Sequence, residues 1–191
     1  MVKNLHEIRI GISSSHGTGK TTLSNSLSKV LRQPILTSDL KIYWERWGIT
    51  DFNVLTREKR TEYQWKLLEC YMADRMKHLK SNNGFISDRT PYDFWGYTDV
   101  SSSMKRIHKF LFWNLVKSSA RLHRFDYVVF LKPEFPMVNE KNRGELSVQK
   151  QVAESVKRCL FGLFDKKRII QVSGSNEDRV LQILTFINKN K

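Results

Sequence analysis

The sequence predicts an α/β domain in which a parallel sheet is covered by helices on both faces. Three observations predict it. Short apolar strand-like segments alternate with helical ones along the chain, the pattern of strand–helix–strand units. A glycine-rich stretch, Ser14-Ser15-His16-Gly17-Thr18-Gly19-Lys20-Thr21, lies between the first strand-like segment and the first helical one. No repeat, low-complexity tract or linker interrupts the 191 residues, so 1–191 reads as one domain with a proper core.

HEIRIGIS is the first strand, followed by the glycine-rich turn and a helix from about Lys20 to Leu31. Pro34 introduces a second short strand in QPILTSD. Leu55 to Lys80 reads as a long helix closed by the turn residues Ser81-Asn82-Asn83-Gly84, and GFISD as a third strand. Ser101-Ser102-Ser103 is placed to cap a long helix running to about Arg124, since no Gly or Pro interrupts it. FDYVVFLKP is the clearest buried strand, stopped by Pro133. A helix from about Ser147 to Phe164, the strand RIIQVSG and a closing helix from Glu177 complete the chain.

Composition narrows the function classes. The longest apolar run, near Phe110 to Val116, is about seven residues, far short of the ~18 needed to span a bilayer. The N-terminus has no apolar signal core, so the chain reads as cytoplasmic. Cys70 and Cys159 are the only cysteines, too few for a disulfide framework or a zinc site. With 33 Lys+Arg against 19 Asp+Glu, the net charge is +14. Such a field attracts polyanions, nucleic acid first; a generically soluble basic surface is the competing reading.

The glycine-rich stretch matches G-x-x-x-x-G-K-[ST] with Ser14 in place of the first glycine. Phosphate binding asks for backbone N–H groups curled around the anion, a lysine at the β/γ oxygens and a hydroxyl on Mg²⁺. Ser15, His16, Gly17, Thr18, Gly19 and Thr22 form the cradle, with His16 as polar filler. Lys20 supplies the charge and Thr21 the metal ligand. The fold class is therefore a three-layer P-loop NTPase fold. No Asn-Lys-x-Asp base-reading motif of a GTPase is present, since Asn139 to Asn142 read NEKN. Nor does an apolar strand end in the Asp-Glu of motor and AAA ATPases. A kinase remains.

GFISDRTPYDFWGYT resembles the Asp-Arg motif of thymidylate kinases and of the small bacterial and phage kinases grouped with nicotinamide riboside kinases, with Asp88, Arg89, Asp93 and Tyr97 in matching positions. The resemblance implies ATP as donor, Asp88 supporting Mg²⁺ through water, and Arg89 gripping the acceptor. RFDYVVFLKPEFPMVNEKNR is similar to the strand and lid of that group, here about 133–150. It implies that Glu140 and Arg143 belong to the lid, with Arg143 closing over the phosphates, although Lys141-Asn142 replace the usual Asp-Gly. VSGSNEDRV is similar to the adenine-side loop, which implies nucleotide contacts from Gly174 and Arg179.

Asp39 ends the second strand, where a kinase acting on a hydroxyl places its general base; a helix cap is the competing reading. Tyr43, Trp44 and Trp47 beyond it either stack on a base or face the core. Between Val100 and Phe125 stand Lys105, Arg106, Lys109, Lys117, Arg121 and Arg124 and no acidic residue. On a helix, Met104, Ile107, Leu111, Leu115 and Leu122 share one face. Arg106, Lys109, Trp113, Lys117, Arg121 and Arg124 fall with Phe110 within about 60° of a second line. Cations with interleaved rings suit a nucleic-acid groove; packing of Phe110 and Trp113 on another element is the alternative. The main reading is a kinase for a hydroxyl on nucleic acid, at a 5′ end or on a hydroxymethylated pyrimidine. A free deoxynucleoside or nucleoside monophosphate is the alternative acceptor, and a nucleic-acid-binding ATPase ranks last.

Overall fold

The computed structural model describes residues 5–37, 40–50, 54–80, 83–101, 104–134 and 146–190. Within them, five strands form one parallel sheet in the order β2-β3-β1-β4-β5. They are β1 (Arg9–Ser13), β2 (Ile35–Leu36), β3 (Phe85–Ser87), β4 (Tyr127–Leu131) and β5 (Ile169–Val172). The register pairs Arg9 with Phe85 and Ile10 with Tyr127, so β1 is central. The chain fills one side of β1 with β2 and β3 before turning to β4 and β5. The end of β1 is thus the topological switch point, where open α/β sheets bind ligands.

Strand side chains alternate between two apolar layers, as a sheet covered on both faces requires. Ile10, Ile12, Ile86, Val129 and Ile170 pack against α1 (Lys20–Leu31) and α7 (Asn176–Lys189) through Leu23, Leu27, Ile183 and Ile187. Phe85, Val128 and Phe130 face the opposite layer, which is built by α3 (Arg57–Leu79), α4 (Pro91–Ser101), α5 (Arg106–His123) and α6 (Leu146–Leu163). Residues Leu67, Leu68, Phe112, Val116, Val152 and Val156 fill it. The short α2 (Leu40–Arg46) follows β2.

Two expectations change. The stretch after Asp-Arg is a helix, α4, that periodicity does not reveal. Its residues Tyr92, Asp93, Phe94, Gly96 and Thr98 are all buried, so it has no polar face to mark a period. Gly96 lets α6 cross closely, since a Cβ there would lie 2.3 Å from Val156 Cγ2. Consequently Ser101 ends α4, its Oγ donating to Tyr97 O at 2.6 Å, and the long helix begins only at Arg106. On α5 the buried stripe is Phe112, Val116, Ser119 and His123. The face of Ile107, Leu111 and Leu122 is exposed.

His123 anchors α5 to the core. Its ring is stacked between Tyr71 and Phe125 at 5.3 and 5.0 Å, and Nδ1 lies 2.7 Å from Ser119 O. Burial pushes its pKa down to about 4; the Ser119 bond opposes this, and Arg75 and Arg9 add to it. The folded chain therefore binds this proton more weakly than the unfolded chain. The resulting stability is complete above about pH 6.5 and is lost as pH falls toward 4, at about 1.4 kcal/mol per pH unit, or about 3 kcal/mol in all. Melting temperatures should fall through that interval, and His123→Phe should remove this part of the slope. An unchanged slope in the variant would assign the acid sensitivity elsewhere.

Candidate active site

The loop between β1 and α1 is held open by two left-handed glycines, Gly17 (φ 71°) and Gly19 (φ 88°), conformations that cost other residues dearly. Ser14 fits in place of the usual first glycine because its side chain has a partner: Oγ donates to Leu131 O at the end of β4, at 2.5 Å. Its N–H donates to Asp93 Oδ1 at 3.1 Å, and Ser13 Oγ donates to the same oxygen at 2.5 Å. Thr90 N–H reaches Asp93 Oδ2 at 3.4 Å. Thr18 Oγ1 donates to Ser15 O at 3.1 Å. Lys20 Nζ sits inside the turn, donating to Ser14 O at 3.0 Å and to Ser15 O. The loop thus carries its cation within the turn, directly before the N-terminus of α1, where a helix favours an anion.

β3 delivers a carboxylate to the side of the loop. Asp88 follows the strand, and Thr21 Oγ1 donates to its Oδ2 at 3.0 Å. A hydroxyl and a carboxylate in contact are hard oxygen donors, the set Mg²⁺ uses together with phosphate oxygens. These residues fit the ion, which when bound would neutralise developing charge on the phosphates. Arg89 comes next, its carbonyl accepting from Tyr71 OH at 2.9 Å and from Ser87 Oγ at 2.5 Å. Its guanidinium lies against Tyr97, whose pKa is raised by burial and lowered in opposition by that arginine. Tyr97 OH is also 3.1 Å from His16 Nδ1. Gln149 of α6 donates to His16 O at 2.7 Å. Burial raises the pKa of Asp93, with Lys20, Ser13 and Arg89 opposing it.

The C-terminal loop meets the cradle from the other side. Arg179 is 2% exposed; its Nη1 donates to Thr18 O at 2.9 Å and Nη2 to Glu134 Oε2 at 3.1 Å. Gly174 N–H donates to the same Glu134 oxygen at 3.1 Å. Arg179 therefore braces the loop's backbone, and Gly174 (φ 90°) closes the turn into the capping box of Ser175 and Asp178.

The structure thus gathers the loop residues, Asp88, Arg89, Gly174 and Arg179 around one point. Asp39, Glu140 and Arg143 lie outside the described residues. Tyr43, Trp47 and Tyr63 stack on one another at 5.8 and 5.3 Å, and Trp44 packs on the core. Burial and a hydrogen bond to Asp74 push the Tyr43 hydroxyl up to about 12. These rings face the protein, the core alternative of the sequence reading. On α5, Lys109 pairs with Asp99 at 2.8 Å and Trp113 meets Trp95 edge-on at 4.5 Å. Lys117, Arg121 and Arg124 lie on the half of the helix that leads to the start of β4, toward the end of the sheet opposite the loop. Sequence reasoning gave no role to Gln149 or Glu134; a lone Gln in a helix and a Glu after a strand carry no signal. Asp93 was visible only through resemblance.

Residues 9–179 match the profile of the family described as AAA domain. The chain belongs to that family. No curated protein matches it. Among solved structures, a deoxyadenosine kinase from M. mycoides superposes with a TM-score of 0.70 at 18% identity, over 96% of this chain and 100% of that one. A NadR protein in complex with NAD and AMP-PNP gives 0.69 at 14% identity, over 95% of this chain and 50% of that one. This AAA-domain chain therefore spans about half the length of the NadR structure. Thymidylate kinase from Candida albicans gives 0.62 at 15% identity, over 97% and 92%. The fold is that of P-loop kinases. Its β3 leads into Asp88-Arg89. No helix among the described residues is long and apolar enough to cross a membrane.

Proposed function

We propose that the protein transfers the γ-phosphoryl group of ATP, with Mg²⁺, to a hydroxyl of a nucleoside-type acceptor. The observation that supports this reading is the Thr21–Asp88 contact at 3.0 Å beside Arg89 and Tyr97, a hydroxyl and a carboxylate next to a cation at the lysine's loop. Lys20 offsets charge on the transferring group, Thr21 and Asp88 hold the ion, and Arg89 orients the acceptor. Arg143 closes from the lid, and Asp39 takes the acceptor's proton. Such transfer is mostly positioning and charge stabilisation. The neighbour named as a deoxyadenosine kinase supports an acceptor of this class. A second reading puts the hydroxyl on nucleic acid, at a 5′ end or on a hydroxymethylated pyrimidine; the +14 charge favours it.

The test is γ-labelled ATP offered with free deoxynucleosides and their monophosphates, or with DNA bearing 5′-hydroxyl ends or hydroxymethylpyrimidines. Label in the free deoxynucleosides is the expected result, and label in the monophosphates alone would return Asp39 to another role. Label in polymer selects the second reading, and label released only as inorganic phosphate overturns both. Asp39→Asn should lower turnover about a hundredfold while leaving ATP affinity unchanged, as loss of a general base does. Unchanged turnover would make Asp39 a cap of α2.

A further inference from the structure

We infer that the groove between α5 and α6 is a binding site for single-stranded nucleic acid, separate from the nucleotide loop. Helix α4 packs against both neighbours and floors the groove, which holds two depressions in line. The upper one, about 380 Å³, is lined by Trp95, Lys109, Phe110, Trp113 and Arg158. The lower, about 300 Å³, is lined by Lys117, Arg121, Arg124, Phe164 and Arg168. From Lys109 to Arg124 the helix rises about 22 Å, room for several nucleotides.

Both ingredients of single-strand recognition are present, cations for phosphates and rings for unstacked bases. Phe110 is 61% exposed and stands beside the Trp95–Trp113 pair. Arg168 is fixed by donating to Asp126 O at 2.6 Å and to Phe125 O, with its guanidinium 5.0 Å from the Phe164 ring. Two carboxylates adjoin the groove. Asp99 is engaged by Lys109 at 2.8 Å and Arg158 at 3.6 Å, and Asp165 caps the turn below by accepting from Lys167 N–H at 3.0 Å. The cations outnumber them.

Charge selects the occupant. A second copy pairing this face with itself would oppose cations, because no acidic residue stands between Val100 and Phe125. A bilayer surface would meet the exposed Ile107, Phe110 and Leu111 but not the half-buried Trp95 and Trp113. A flexible strand reaches both levels. The site lies away from the loop, so the inference holds whichever acceptor the kinase uses.

The test is fluorescence anisotropy of a labelled oligothymidylate of about a dozen nucleotides, a length within the usual site range, titrated with the full chain without ATP. Gly162→Glu puts a negative charge between Arg158 and Leu163, where a Cβ meets nothing within 4 Å, and replacing a helical glycine favours the helix. It should weaken binding about tenfold, the scale of one added charge in a phosphate groove. Melting temperature should not fall, and transfer to a free nucleoside should stay unchanged. Lys117→Glu with Arg121→Glu should reduce the slope of log affinity against log salt by about 1.4, two contacts on a single strand. No oligonucleotide binding, binding indifferent to Gly162→Glu, or capture of phosphatidylserine vesicles in its place would overturn the site. Because binding is read without turnover, a failed kinase assay leaves this result standing.

Discussion

Lys20→Ala should lower phosphoryl transfer about a thousandfold or more, the upper range for removing one preorganised donor from a charge-stabilising site. Lys20 is 6% exposed and its ammonium lies within the turn of Ser14 and Ser15, where low water content strengthens its field on a developing phosphate charge. Lys20→Arg should not rescue: the turn spanned by Gly17 and Gly19 admits a point charge on a flexible stem, not a planar fork. Loss of the ammonium also leaves the Ser14 and Ser15 carbonyls without that donor, costing about 1–2 kcal/mol. Initial rates with γ-labelled ATP, beside melting curves, separate the two effects. A folded Lys20→Ala variant within tenfold of the parent rate would remove Lys20 from the chemistry and with it the kinase reading.

The parts of this site legible in sequence are those whose chemistry is local. Lys20, Thr21 and the two glycines stand within a few residues, and backbone requirements fix their spacing. The strand β4 shows as an apolar run; that it lies beside β1 is a matter of strand order, which an alternating pattern leaves open. What stayed hidden is carried by tertiary placement. Helix α4 is buried almost throughout, so its polar residues Asp93 and Thr98 look like loop composition until Gly96 is seen against Val156. The exposed face of α5 defeats periodicity in the opposite way, because Ile107, Leu111 and Leu122 are as apolar as the buried stripe of Phe112 and Val116. Two apolar faces share one helix, and only its neighbours decide which is core. The basic residues of α5 were legible as a group. Their position was not, since it depends on which end of the sheet the helix approaches. Arg179, expected at the nucleotide, donates to a backbone carbonyl of the loop that would hold it, a bracing role that no residue-type argument reveals.

Asp93→Ala should be the most damaging change outside the loop itself. Asp93 is 1% exposed, and three donors converge on it: Ser13 Oγ, Ser14 N–H and Thr90 N–H. Truncation strands buried donors at the end of β1, at a cost of about 3 kcal/mol, which lowers the melting temperature by about 10 °C in a chain of this size. The kinetic cost follows from geometry. Without the carboxylate, the Ser13–Ser14 backbone is free to shift, and a displacement of about 1 Å at a reacting centre costs about a hundredfold. Ser14→Gly supplies the contrast. It restores the usual loop residue and keeps the N–H to Asp93 but removes the hydroxyl bond to Leu131 O, so stability should fall by about 1 kcal/mol with turnover retained. If Ser14→Gly lost turnover as completely as Asp93→Ala, the loop would be held by the serine hydroxyl. If Asp93→Ala kept full turnover below its melting transition, the carboxylate would serve folding alone. The expected pairing is loss of both turnover and stability in one variant and of stability alone in the other. It would show that the buried carboxylate, through Ser14 N–H, shapes the loop in place of the missing glycine.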